Sequence, residues 1–133
     1  MLDFGAGNGI LGIAAALRGA KVECVEIDEN ALNEARRNAA INDLYTLFDF
    51  RTNLSNTATR FELIAANILA SVLLSFADEL TIRLAPNGHL VLSGLTSTDV
   101  PSILSNYRRR LPQHNANIFE RGAWRAVIFS PKR

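Results

Sequence analysis

Leu2-Asp3-Phe4-Gly5-Ala6-Gly7-Asn8-Gly9-Ile10-Leu11-Gly12 opens the chain, a short apolar strand running straight into a glycine-rich bend and then an apolar helix. Glycine lets a chain turn sharply and brings backbone close to a ligand. A bend of this kind between a strand and a helix N-terminus is where open α/β sheets bind nucleotides. Two ligand classes fit. Gly7-Asn8-Gly9-Ile10-Leu11-Gly12 matches G-x-G-x-x-G, and Glu26 follows at about the 20-residue spacing of a dinucleotide fingerprint. Asp3, two residues before the first glycine, points instead to a methyl donor, because its carboxylate can orient the bend and meet the amino group of a methionine moiety. A ligand-free turn is the plain structural alternative.

Outward from the bend, strands and helices alternate. A helix over 10–18 stops at Gly19, and 21–27 reads as a strand. Asp28 and Asn30 can cap a helix through 40, with Ala31, Leu32, Ala35 and Ala39 on its apolar face. Residues 45–50 suggest a third strand, 53–59 a polar loop, and 61–66 a buried strand. The spacing of Leu69, Val72, Leu73, Phe76 and Leu80 predicts a helix over 69–84, closed by the turn Ala85-Pro86-Asn87-Gly88. A strand over 89–93 and a helix over 100–111 follow, with Pro101 in the first helical turn. The tail differs: 116–120 and 124–130, joined through Arg121-Gly122, read as a hairpin. The expected fold is therefore α/β and Rossmann-like, a mostly parallel sheet with helices on both faces and a C-terminal antiparallel hairpin.

Composition narrows the function. With 133 residues, 48% apolar and 20% charged, the chain can bury a core and reads as one domain. A net charge of +1 argues against direct nucleic-acid binding. Arg108-Arg109-Arg110 falls where a helix ends, and cations there suit the helix dipole. The single cysteine, Cys24, lies in an apolar run and reads as a buried, inert thiol in a reducing compartment. His89 and His114 are far apart without ligand spacing, so no metal site is expected. Without a signal peptide or a membrane-length apolar run, a cytoplasmic location is expected. Asn67, at the end of the fourth strand, either serves a site or caps the next helix. Trp124 reads as edge packing more than substrate stacking.

The motifs together resemble a known family. Leu2 to Leu11 and Ile13-Ala14-Ala15-Ala16, then Val25-Glu26-Ile27-Asp28, Ala66-Asn67-Ile68-Leu69-Ala70, Leu90-Val91-Leu92-Ser93-Gly94 and the region of Trp124, are similar in order to the catalytic domain of the PrmA-type methyltransferases. These modify large-subunit ribosomal protein eleven. Many methyltransferases share the glycine motif; the Asn-Ile-Leu-Ala and Leu-Ser-Gly pieces together are more particular to this family. The resemblance implies a class I methyltransferase fold, S-adenosyl-L-methionine as cofactor, and methyl transfer to a lysine or α-amino nitrogen of a ribosomal protein.

It also implies roles by position. Asp3, Gly5, Ala6, Gly7 and Gly9 would hold the methionine end, Glu26 the ribose hydroxyls, and Ile27 an adenine face. Asn53 falls where related enzymes carry an acidic or polar residue near the adenine amine. Asn67 would bind at the methyl end and help to place the acceptor nitrogen, as the one catalytic residue. Family members usually have Asp at the position of Glu26. They also carry a substrate-recognition domain ahead of the bend, whereas Met1 here stands almost directly before the strand. The reading is thus of a cofactor-binding domain over 1–133 without that region. An NAD(P)-binding domain and a methyltransferase-like domain without turnover are the alternatives.

Overall fold

The computed structural model describes residues 1–56 and 58–133, and the chain divides into two compact units, Met1–Thr57 and Ala58–Arg133. The expected polar loop over 53–59 includes Thr57, which lies outside the described residues.

In the first unit, β1 (Leu2–Phe4), β2 (Val22–Val25) and β3 (Phe48–Arg51) pair in parallel, with β2 in the middle. All three residues of β1 are buried, as befits a strand covered on both faces. Helices α1 (Ile10–Ala16) and α2 (Glu29–Ile41) complete it. Ala16, Val22, Cys24, Leu32 and Ala35 form the core cluster. Gly12 lets α1 come close to the strands: a Cβ on it would stand 3.0 Å from both Val22 and Phe48. Cys24 is fully buried, and that burial, reinforced by the charges of Asp3 and Glu26, pushes its thiol up to about 12.

The expected helix over 10–18 ends earlier. The Arg18 and Gly19 amides donate to Ala15 and Ala16, tightening the last turn, and Gly19 takes a φ of +89°. Asp28 caps α2 by accepting from the Asn30 amide at 2.9 Å, so Asn30 is a helical residue and not a second cap. The strand expected over 45–50 is also corrected: Tyr45–Leu47 is a 3-10 turn, and β3 begins at Phe48.

In the second unit, β4 (Phe61–Asn67) pairs in parallel with β5 (Leu84–Leu95). β7 (Trp124–Pro131) lies antiparallel between β5 and β6 (His114–Arg121). The hairpin is as expected, its turn closing with Arg121 opposite Trp124. Helix α5 (Val100–Arg110) buries Val100, Ile103 and Tyr107. The Tyr107 hydroxyl donates to the Leu73 carbonyl at 2.6 Å, satisfying a polar group inside the core. The arginine run does end this helix, and Arg110 pairs with Asp78 at 2.6 Å.

Two expectations change here. The helix predicted over 69–84 is broken into α3 (Ala70–Ser75) and α4 (Ala77–Ile82), with Phe76 at φ −98° and ψ 11°. The Ser75 hydroxyl donates back to the Val72 carbonyl at 3.0 Å, a bond that bends helices. The predicted turn over 85–88 does not separate a helix from a strand. It is a bulge within β5: Phe61 pairs with Leu84 and Leu63 with His89, so β5 carries three extra residues. His89 lies on the strand, with Nδ1 3.1 Å from the Ser130 hydroxyl.

Among the described residues no helix is long and apolar enough to cross a membrane, and none of their acidic, His and Cys side chains cluster as a metal site.

Candidate functional site

The carboxyl ends of β1, β2 and β3 lie level, because Phe4 pairs with Val25 and Val25 with Arg51. In an open α/β sheet this edge is where ligands bind. Gly5, Gly7 and Gly9 leave β1 with φ values of +71°, +58° and +83°, a backbone that side chains resist. Gly9 also has Ala35 of α2 against it, 3.0 Å from where its Cβ would stand. At Gly7 a Cβ would meet nothing within 4 Å, so the bend has open space at its apex.

Asp3 lies beneath this bend, 1% exposed. Its Oδ2 accepts the Gly12 amide at 2.9 Å, in the first turn of α1. That fixes the helix N-terminus against β1 and satisfies one of the amides that a helix start leaves over. Burial pushes the Asp3 carboxyl up to about 6; the Gly12 amide opposes this and the nearby Glu26 charge adds to it.

Glu26, half-buried just past β2, accepts the Gly7 amide on Oε2 at 3.3 Å. Ile27 follows it, 86% exposed, an apolar side chain with one face available. Asn53 is exposed two residues past β3. The Glu26 amide donates to the Arg51 carbonyl at 3.0 Å, which ties the β2 and β3 exits together. The structure therefore gathers Asp3, Gly5, Ala6, Gly7, Gly9, Glu26, Ile27 and Asn53 along one edge.

The bend spends its amides internally. Gly5 and Ala6 both donate to the Val25 carbonyl, at 2.9 and 3.0 Å, Gly9 donates to Ala6, and Gly7 to Glu26. Asn38 of α2 donates its side-chain amide to the Asn8 carbonyl at 3.0 Å, a brace that sequence reasoning missed because Asn38 sits in no motif. With two carboxylates beneath and beside it, the bend suits a cationic group more than a pyrophosphate, which needs free N–H donors.

Asn67 belongs to the second unit, exposed at the carboxyl end of β4. The capping alternative fails, since α3 is capped at Leu69 without a side-chain bond. Instead, Asn67 Oδ1 occupies the place a Cβ would need at Gly94, 2.8 Å from it. Gly94, at φ +77°, thus makes room for the Asn67 side chain. Beside them an open cavity of about 460 Å³ is lined by Asn67, Ser93, Gly94, Phe119 and Trp124. Trp124 is 61% exposed and Phe119 55%, which corrects the expectation that Trp124 packs at the edge.

The family model for ribosomal protein L11 methyltransferase (PrmA) matches residues 1–132. The chain belongs to this family. It is 38% identical over 109 residues to the ribosomal protein L11 methyltransferase of Geotalea uraniireducens, covering 80% of this chain and 35% of that protein. With the enzyme of the same name from Methylococcus capsulatus the identity is 37% over 123 residues, covering 92% and 42%. This member of the PrmA family thus spans well under half the length of these curated relatives. The crystal structure of ribosomal protein L11 methylase from Lactobacillus delbrueckii subsp. bulgaricus superposes with a TM-score of 0.89 at 31% identity, over 99% of this chain and 69% of that one. The fold is accordingly the class I methyltransferase fold, as expected from the sequence.

Proposed function

We propose that this chain is the S-adenosylmethionine-binding domain, residues 1–133, of an enzyme that methylates nitrogen on a ribosomal protein, at a lysine or α-amino group. The observation that carries the cofactor assignment is the Gly7–Glu26 contact: an open, side-chain-free apex beside a carboxylate one strand over. In this reading Glu26 accepts from the two ribose hydroxyls, for which its two oxygens suffice. Ile27 covers one adenine face and Asn53 meets its edge. Asp3 holds the bend, and with Gly5, Ala6, Gly7 and Gly9 receives the methionine end, whose ammonium is drawn to carboxylates and carbonyl oxygens. Asn67, at the carboxyl end of β4, would help to place the acceptor nitrogen.

When bound, the donor supplies an electrophilic methyl on a sulfonium. The chain's task is positioning and exclusion of water, which needs no acid–base pair. A lysine acceptor must be neutral to attack, and exclusion of water from the site lowers an amine pKa in the required direction.

The NAD(P) reading is disfavoured by the spent amides of Gly5, Ala6 and Gly9. A thermal-shift comparison separates the two. S-adenosylmethionine and its demethylated product are expected to raise the midpoint, since ligand at about 100 times its Kd adds about 2.7 kcal/mol. NAD and NADP are expected to leave it unchanged. The opposite ranking refutes the proposal. Transfer of labelled methyl to purified large-subunit proteins tests turnover, and its absence alongside cofactor binding favours the domain without turnover.

A further inference from the structure

At the amino ends of β4 and β5, the far end of these strands from Asn67 and Gly94, lies an open cavity of about 480 Å³. The volume is in the range of small-molecule sites. Arg60, Arg110 and Lys132 line it together with His114, and no Asp or Glu does. Arg110 is paired with Asp78. Arg60 and Lys132 have no carboxylate partner among the described residues. Arg60 donates to the Ile82 and Leu84 carbonyls, and Lys132 Nζ to the Pro112 carbonyl at 2.8 Å. These contacts hold both side chains in place and leave both charges uncompensated.

The walls are stiff. Three of the chain's four prolines, Pro86, Pro112 and Pro131, line the cavity, and proline offers no backbone donor. Pro86 belongs to the β5 bulge, whose Gly88 carbonyl lies 3.1 Å from His114 Nε2, so that ring nitrogen carries the proton. Gly88 cannot be larger, because a Cβ there would stand 2.8 Å from the Phe61 carbonyl oxygen. An entering anion therefore meets fixed cations in a lining that also includes Asn87 and Gln113.

We propose that this cavity is a binding site for a phosphoryl group, carried by a small phosphorylated compound or by an RNA backbone. Two fixed, unpaired cations over prolines give such a group charge-assisted hydrogen bonds without displacing an existing ion pair. The apolar stems and rings leave room for the organic part. The inference is independent of the cofactor assignment, since none of its residues belongs to that site.

The test is amide NMR of the full chain, titrated with sodium phosphate against sodium chloride at matched ionic strength. Phosphate is expected to shift the amides of Asn87, Gly88, Gln113 and Lys132 saturably. The exposed Lys132→Gln should weaken the apparent affinity by about tenfold, the usual effect of one charged hydrogen bond. Arg60→Gln should do the same, with amide dispersion reporting that the fold is kept. Hexauridylate in a parallel titration identifies the source: tighter binding than phosphate assigns RNA, and weaker or equal binding a small compound. Shifts that stay linear to tens of millimolar, or a Lys132→Gln titration identical to wild type, would overturn the proposal.

Discussion

Replacing Asp3 by asparagine isolates the electrostatic cost of placing a carboxylate under the glycine bend. Asn keeps an oxygen for the Gly12 amide, now 2.9 Å from Asp3 Oδ2, and removes only the ionisation. Burial moves the Asp3 carboxyl from the ordinary 3.8 to about 6. At about 1.4 kcal/mol per pKa unit, the folded state bears a cost of about 3 kcal/mol once Asp3 is ionised. Because the folded pKa is the higher one, this cost is absent below pH 3.8 and complete above pH 6. The wild type should therefore lose about 3 kcal/mol relative to Asp3→Asn as the pH rises through that window, and stay level on either side. Urea denaturation of both proteins at half-unit pH steps measures this difference and cancels the other carboxylates. The absolute offset carries the new amide's own hydrogen-bonding cost and is not the readout. A difference that does not change between pH 3.5 and pH 7 would refute the reasoning, since Asp3 would then not be held in the neutral direction. The cationic end of the proposed cofactor should reverse the preference, so binding near pH 5 should release a proton.

Other substitutions address the edge residue by residue. Gly7→Val puts a branched side chain into the open apex and should abolish cofactor binding in a calorimetric titration; it also strains the +58° φ by about 1–2 kcal/mol. Gly19→Val is the control, since Gly19 has a φ of +89° and equally open surroundings; equal affinity in the two variants would mean that the bend is not the site. Glu26→Ala should weaken cofactor binding by about 1–3 kcal/mol, the range for a lost charged hydrogen bond, and an unchanged Kd counts against the ribose assignment. Gly94→Ala should cost about 1–3 kcal/mol of stability, because it forces a Cβ to within 2.8 Å of Asn67 Oδ1 at a φ of +77°; a neutral result in urea denaturation would mean that Asn67 moves freely.

The strand, bend and first helix were legible because glycine is the residue a left-handed backbone asks for, and Gly5, Gly7 and Gly9 all adopt it. The hairpin was legible for a similar reason, with Gly122 at φ +57° in its turn. What the bend does with its amides was not legible. The Val25 carbonyl takes two of them, and no pattern in the chain announces that. Asn67 could not be told from a helix cap in the sequence, because the glycine that makes room for it, Gly94, lies on another strand. The helix break at Phe76 has no proline or glycine beside it to announce it in the sequence. Trp124 was misread because aromatic residues usually fill cores; here it sits at the exposed end of a hairpin, where tertiary context overrides that tendency.

The position of the cofactor's sugar decides whether the β1–β3 edge is the binding site. A crystal structure with S-adenosylhomocysteine should show both ribose hydroxyls on the Glu26 carboxylate, the adenine against Ile27, and the amino-acid end over Gly7. The homocysteine product bound away from the β1–β3 edge, or a dinucleotide whose pyrophosphate fills the bend at Gly7, would contradict it.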